Sequence, residues 1–174
     1  QEEAIQAVAI QIALLRDIRP TGAGSYFAFR MGALSALISD IMLPYGLAWT
    51  PEDRALQQKI QADINDNLTK LEYVNPSRKR TVMLDETSVS RGLACYGDNR
   101  LLIADDYKHN KGYSGDLGES CQTYFNKAVE ATADAWYTIL RPQDSGSNNK
   151  VTNSLMEQYY VKEIGYLLEE KANM

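Results

Sequence analysis

One carboxylate lies in the most apolar segment of the chain. Asp40 follows Leu37 and Ile38 in a stretch that ends at Pro44. A carboxylate that is buried in such a segment must be hydrogen-bonded, paired with a cation or bound to a metal. Asp40 is therefore either a metal ligand, the ion-pair partner of Arg30 or another basic side chain, or a cap on the backbone near Pro44.

The chain has a single histidine, His109. This count excludes a mechanism that needs two histidines, and a zinc site with two histidine ligands, within this chain. Asp105 precedes His109 by four residues and could orient it as a general base on one face of a helix. Beside a turn, we expect instead a solvated surface pair. The sequence contains no Gly-rich phosphate loop, no Cys-x-x-Cys and no Gly-x-Ser-x-Gly.

The two cysteines leave two interpretations open. Cys95 and Cys121 fit one disulfide that closes a loop, with a stabilisation of about 3 kcal/mol in the chain-entropy model. Equally, they fit two unpaired and buried small side chains. A disulfide would place the protein outside the cytosol, and we predict an extracytoplasmic location, periplasmic or secreted.

Charge and hydropathy exclude two classes of partner. The net charge of −5 over 174 residues argues against a surface that neutralises phosphates, so no nucleic-acid partner is expected. The basic run Arg78–Lys79–Arg80 is interpreted as a solvated loop with no role. No segment reaches the roughly 20 uninterrupted apolar residues that span a bilayer, so no membrane span is expected.

Apolar periodicity predicts an all-α multi-helix bundle. A first helix carries a stripe through Val8, Ile12 and Leu15 and ends at Arg19–Pro20. A second, which Ser25 could cap, is apolar almost all round and should be central. A third begins at the Thr50 cap and stops before residues 75–77.

Two further helical regions follow. Residues 85–110 are predicted to be helical, with Gly92 and Gly97 weakening or splitting the helix. A long helix is expected over about 117–140. We assign residues 1–141 to the bundle, 142–150 to a flexible linker without apolar residues, and 151–174 to a C-terminal amphipathic helix marked by Met156, Tyr160, Ile164 and Leu167.

Residues 31–46 (MGALSALISDIMLPYG) resemble the signature helix of the zinc-dependent phospholipase C and single-strand-specific nuclease superfamily. That signature is Leu-Gly, three residues, His, three residues, Asp, three residues, Pro, one residue, His. Gly32, Asp40 and Pro44 fall in register, while both metal-ligating histidines are replaced, by Ala36 and Gly46. Residues 124–137 are similar to the closing helix of the family, with small residues followed by aromatic ones. The resemblance implies the helical phospholipase C fold, with Asp40 as the one retained metal ligand.

A single carboxylate does not hold a zinc cluster. The resemblance therefore implies a catalytically silent relative that serves as a binding or assembly module, with no catalytic residue and no cofactor expected. The family also places helices upstream of the signature, and the chain begins at Gln1. Three explanations stay open: the gene product is cleaved into two chains that remain associated, the chain is a fragment, or this branch has a shortened bundle. We expect a protein partner or self-association, and the upstream segment is one candidate partner chain.

Two other interpretations stay open. The first is a metal-dependent phosphodiester or phospholipid hydrolase, whose site is completed by the upstream segment or a partner chain and which then holds zinc or another divalent metal. The second is a structural role, in which the C-terminal helix reaches a neighbouring subunit across the linker.

Overall fold

A computed structural model describes residues 2–19, 24–94 and 99–142 of the chain. Within these ranges every regular element is a helix and no strand occurs, which confirms the predicted all-α class. The α-helices are α1 (Glu2–Ile18), α2 (Ser25–Met42), α3 (Pro51–Asn67), α4 (Glu86–Gly92), α5 (Arg100–Lys108) and α6 (Asp116–Leu140), with 3₁₀ turns at Leu68–Lys70 and Gly112–Ser114.

Helices α1, α2 and α6 pack against one another, and α4 packs against α1. The predicted stripe Val8, Ile12 and Leu15 is buried in this core. The C-terminal half of α6 contributes Ala135 and Ile139, which have no exposed surface. Three helices that each bury one face against the other two form the main body of the bundle.

A second, smaller core lies along the first turns of α6. Its buried members are Tyr45, Ile60, Ile103 and Leu117. They come from the loop after α2, from α3, from α5 and from α6, so the long helix α6 connects both cores. Its 25 residues span about 37 Å, which is long enough for this.

Helix α2 differs from the prediction of a helix that is apolar and buried all round. Its inner face is buried through Phe27, Met31, Leu34 and Ile38. The opposite face is exposed, and Phe29 keeps 68% of its surface in water. Gly24, and not Ser25, occupies the N-cap position, without a side-chain cap.

The other boundaries follow the sequence in part. Thr50 caps α3 as predicted, because its Oγ1 accepts a hydrogen bond from the Asp53 amide at 3.0 Å. Helix α3 ends at Asn67, before the expected limit at residues 75–77, and Ile60 is its buried residue. Leu56 and Ile64 pack against the same small core and are partly buried. The predicted split of residues 85–110 is confirmed, since α4 ends at Gly92 and α5 begins at Arg100.

The predicted linker from 143 onward and the predicted amphipathic helix at 151–174 lie outside the described residues. Among the described helices, none combines the length and the apolar character that a membrane crossing requires.

Candidate functional site

Positions 36, 40 and 46, which correspond to metal ligands in the family signature, lie at the C-terminal end of α2 and in the turn after it. Ala36 and Asp40 are exposed and lie four residues apart on one face of the helix. The chain then turns at Tyr45, whose φ is 58°, and brings Gly46 onto the backbone of Asp40. A Cβ at position 46 would overlap the Asp40 carbonyl oxygen. Glycine at this position is therefore a requirement of the turn.

Asp40 is exposed. Its carboxylate therefore does not need the hydrogen-bond, ion-pair or metal partner that a buried carboxylate requires. It forms no side-chain hydrogen bond or ion pair with the residues that the structure describes, and Arg30 donates instead to Gln11. Partial burial raises the pKa of the Asp40 carboxyl above its ordinary value of 3.8.

No group of three or more His, Cys, Asp and Glu side chains within the described ranges is placed to hold a metal ion. Asp40 thus has no described ligand beside it. Zinc or another divalent ion at Asp40 would need further ligands from outside these ranges, because a single carboxylate does not hold a zinc cluster.

His109 and Asp105 form a surface pair. The distance from His109 Nδ1 to Asp105 Oδ2 is 3.3 Å, and the two side chains are 65% and 62% exposed. Nδ1 also lies 2.9 Å from the Asp105 carbonyl oxygen. His109 and Asp105 thus form the solvated surface pair that the sequence predicted in preference to a general base.

Cys121 is buried in the N-terminal half of α6. Burial raises the pKa of its thiol, and a hydrogen bond with Tyr113 only partly offsets this effect. A thiol of raised pKa is protonated near neutral pH and is a poor nucleophile. Cys95 lies outside the described residues, so the Cys95–Cys121 disulfide stays a prediction.

The segment between α3 and α4 lies along α6 as an extended strap, defined here as residues 71–85. The strap is held by a stripe of polar side chains on α6, spaced four residues apart. These are Gln122, Asn126, Glu130, Asp134 and Thr138. Because residues four apart share one face of a helix, the stripe offers a row of hydrogen-bonding groups to a backbone that has no strand partner.

Both ends of the strap are fixed by backbone hydrogen bonds to this stripe. At the start, the Glu72 amide donates to Gln122 Oε1 at 3.2 Å, and Gln122 Nε2 donates to the Glu72 carbonyl at 2.6 Å. At the far end, the Met83 amide donates to Thr138 Oγ1 at 2.9 Å. Met83 itself is fully buried in the main core, and a Cβ on Gly92 would meet its side chain.

A cluster of charges lies between the two ends. Arg78 Nη2 is 2.7 Å from Asp134 Oδ2 and 2.8 Å from Glu130 Oε2. Arg80 Nη1 approaches the same two carboxylates at 3.4 and 3.3 Å, and Tyr73 donates to Glu130. Burial raises the pKa of Glu130, but the Tyr73 hydrogen bond and the two guanidinium groups outweigh it and leave this pKa below its ordinary value.

The interpretation of Arg78–Lys79–Arg80 as a solvated loop is thus wrong for both arginines. Their side chains are 36% and 27% exposed, while the carboxylates of Glu130 and Asp134 are 11% and 3% exposed. Two buried acids on α6 need compensating cations, and these arginines supply them. The signal that could have revealed this arrangement is the pair of acids four residues apart in the half of α6 that carries the core residues Ala131, Ala135 and Ile139.

An exposed apolar surface is shared by α2 and α6 and is here called the α2 face. Its exposed residues are Ala28, Phe29, Gly32, Ala36, Trp136 and Leu140. Ala28, Gly32 and Ala36 are four apart and form a floor of small side chains. Phe29 and Trp136 border this floor, the latter held by a hydrogen bond from Nε1 to Ser35 Oγ at 2.9 Å. The strip of small side chains between the two aromatic side chains is called the groove below.

The described residues thus define an all-α domain with a strapped helix and an open apolar groove. Comparison with known proteins finds no match for the chain among family models, curated proteins or solved structures.

Proposed function

We propose that this protein is a catalytically silent relative of the zinc-dependent phospholipase C superfamily, and that it acts outside the cytosol as a binding or assembly module. The α2 face is its docking surface. The observation that carries the proposal is this exposed apolar groove on a helix whose other face is buried in the core. Contiguous apolar surface is costly to leave in water and is typical of protein–protein contact sites.

The composition of the α2 face favours a helical partner. Small side chains at 28, 32 and 36 allow close approach of a second helix, and a helix laid in a groove uses anchors at the same spacing of three and four residues. The flanking Phe29 is 68% exposed and Trp136 41%. Large aromatic side chains of this kind carry much of the binding energy at interfaces.

The proposal that the protein is catalytically silent depends on the two replaced metal ligands of the family signature. In the family signature, positions 36 and 46 are histidines, and here they are Ala and Gly. The tight contact of Gly46 with the Asp40 backbone supports a site that no longer needs a side chain there.

The test compares two identical substitutions at exposed helical positions. Ala36→Arg places a charge in the groove, and Ala62→Arg places one on α3, where Ala62 is also exposed. In protein isolated with its native partners, wild type and Ala62→Arg should retain the same stoichiometric companion or self-associated mass by sedimentation velocity, and Ala36→Arg should lose it.

If wild type, Ala36→Arg and Ala62→Arg all assemble equally, the α2 face is not the docking surface. Stoichiometric zinc, together with phosphodiester hydrolysis that Asp40→Asn abolishes, would contradict the silent character and favour the hydrolase.

A further inference from the structure

The α2 face contains a glycine, Gly32, whose presence no contact in the described structure explains. Gly32 lies in the interior of α2, where glycine costs about 1 kcal/mol relative to alanine. A Cβ built on Gly32 would meet no atom within 4 Å. No neighbour in the described part of the chain requires glycine here, whereas a backbone that crosses closely above the groove would require it.

The end of the described chain lies next to this groove. Arg19 Nη1 donates to the Arg141 carbonyl at 2.5 Å, so the end of α1 meets the end of α6. Only residues 20–24 separate Arg19 from α2, so the beginning of α2 lies at the same end of the bundle. Pro142, the last described residue, therefore lies at the end of the bundle where α2 begins, and 32 residues follow it in the sequence.

The length and pattern of that segment match the groove. Eight residues, 143–150, have no apolar side chain and can span up to about 27 Å. Helix–helix connections within bundles are about this long. Met156, Tyr160 and Ile164 then recur at the same four-residue spacing as Ala28, Gly32 and Ala36.

We infer that residues 151–174 dock on the α2 face of the same chain, with the apolar side of their predicted helix in the groove. A tether of only eight residues gives the segment an effective concentration on the order of millimolar, which favours docking on its own bundle over docking on a second copy. A partner must then displace this segment. The displacement by a partner rests on the function proposed above, whereas the docking of residues 151–174 does not.

The experiment is site-directed photocrosslinking of the full chain. The residue p-benzoylphenylalanine replaces Phe29 in one sample and the exposed Ala62 in a control, and irradiated protein is separated by mass before peptide mapping. We expect a crosslink from position 29 to a peptide within 151–174, in the fraction of monomer mass, and no such crosslink from position 62. A crosslink to 151–174 found only at dimer mass, or none to that segment, overturns the inference.

A second variant tests the floor of the groove. Gly32→Leu, in the background with the crosslinker at position 29, fills the space above Gly32 and should reduce the yield of the crosslink to 151–174 at least severalfold. Ala62→Leu adds similar bulk on α3 and should leave the yield unchanged. An unchanged yield in Gly32→Leu overturns docking in the groove. If the crosslink forms but Ala36→Arg retains all companions, the inference holds and the proposed function fails. If no crosslink to 151–174 forms but Ala36→Arg loses its companion, the proposed function holds and the inference fails.

Discussion

Arg78 binds Asp134 with both terminal nitrogens of its guanidinium group. Nη2 lies 2.7 Å from Oδ2 and Nη1 lies 3.3 Å from Oδ1, and the two residues are 56 positions apart in the sequence. This fork-to-fork geometry fixes orientation as well as distance. It fastens the middle of the strap to α6, while hydrogen bonds at Glu72 and Met83 fasten its ends.

The first prediction concerns this contact. Arg78→Ala should lower the free energy of unfolding by about 1–2 kcal/mol, because Asp134 loses its best cation. The loss is smaller than for a fully buried pair, since water reaches Arg78 and Arg80 remains beside the carboxylate. Urea denaturation monitored by circular dichroism measures the change.

Lys79→Ala is the matched control, because it removes an adjacent and exposed cation from the same strap. Its effect should stay within about 0.5 kcal/mol. If both variants lose the same stability, general charge loss and not the Arg78–Asp134 contact is responsible.

The sequence predicted α6 well because its core face repeats with the helical period. Six residues define that period: Cys121, Ala135 and Ile139 are buried, and Phe125, Ala128 and Thr132 are half-buried. It failed for the strap because the partners of Arg78 and Arg80 lie at least 50 residues away. Local pattern does not reveal which distant acids a basic run will meet.

The error in α2 has a different cause. Phe29 and Leu37, added to the residues of the inner face, made the helix look apolar on every side, but Phe29 is exposed and Leu37 is half-buried. A large apolar side chain alone does not indicate a core face, because folded proteins keep much apolar surface in water. Local pattern also did not reveal the overlap that makes Gly46 necessary, because this overlap depends on the turn at Tyr45.

A second prediction tests the buried end of the strap. Thr138 has no exposed surface, and its hydroxyl accepts the Met83 amide and donates to the Asp134 carbonyl. Thr138→Val keeps the shape but leaves that amide without a partner, which should cost about 1–3 kcal/mol. Hydrogen exchange should show faster exchange at the Met83 amide. Thr123→Val, at an exposed position of α6, should change neither quantity.

The third prediction is a pH dependence at Glu130. Its pKa in the folded protein is below the ordinary value of 4.5, so the unfolded chain binds a proton more readily than the folded one. The stabilisation is therefore fully present above about pH 4.5 and is lost as the pH falls through the lower folded value. Wild type should lose stability on acidification, and Glu130→Gln should lose less over the same range.

Denaturant titrations at a series of acidic pH values measure this difference. Glu119→Gln removes one exposed carboxylate from α6 without touching the strap, and its pH dependence should match that of wild type. If Glu130→Gln and wild type lose stability in parallel, Glu130 does not couple the strap to pH.

The last prediction restores the histidines of the family signature. At position 46 any side chain must overlap the Asp40 carbonyl oxygen, so Gly46→His should lower the free energy of unfolding by about 2–3 kcal/mol. Ala36 is exposed, so Ala36→His should change it by less than about 1 kcal/mol. Thermal denaturation and elemental analysis of both variants measure stability and bound zinc. A Gly46→His variant as stable as wild type would show that the turn opens without cost, and zinc bound by the double variant would show that Asp40 still faces both positions.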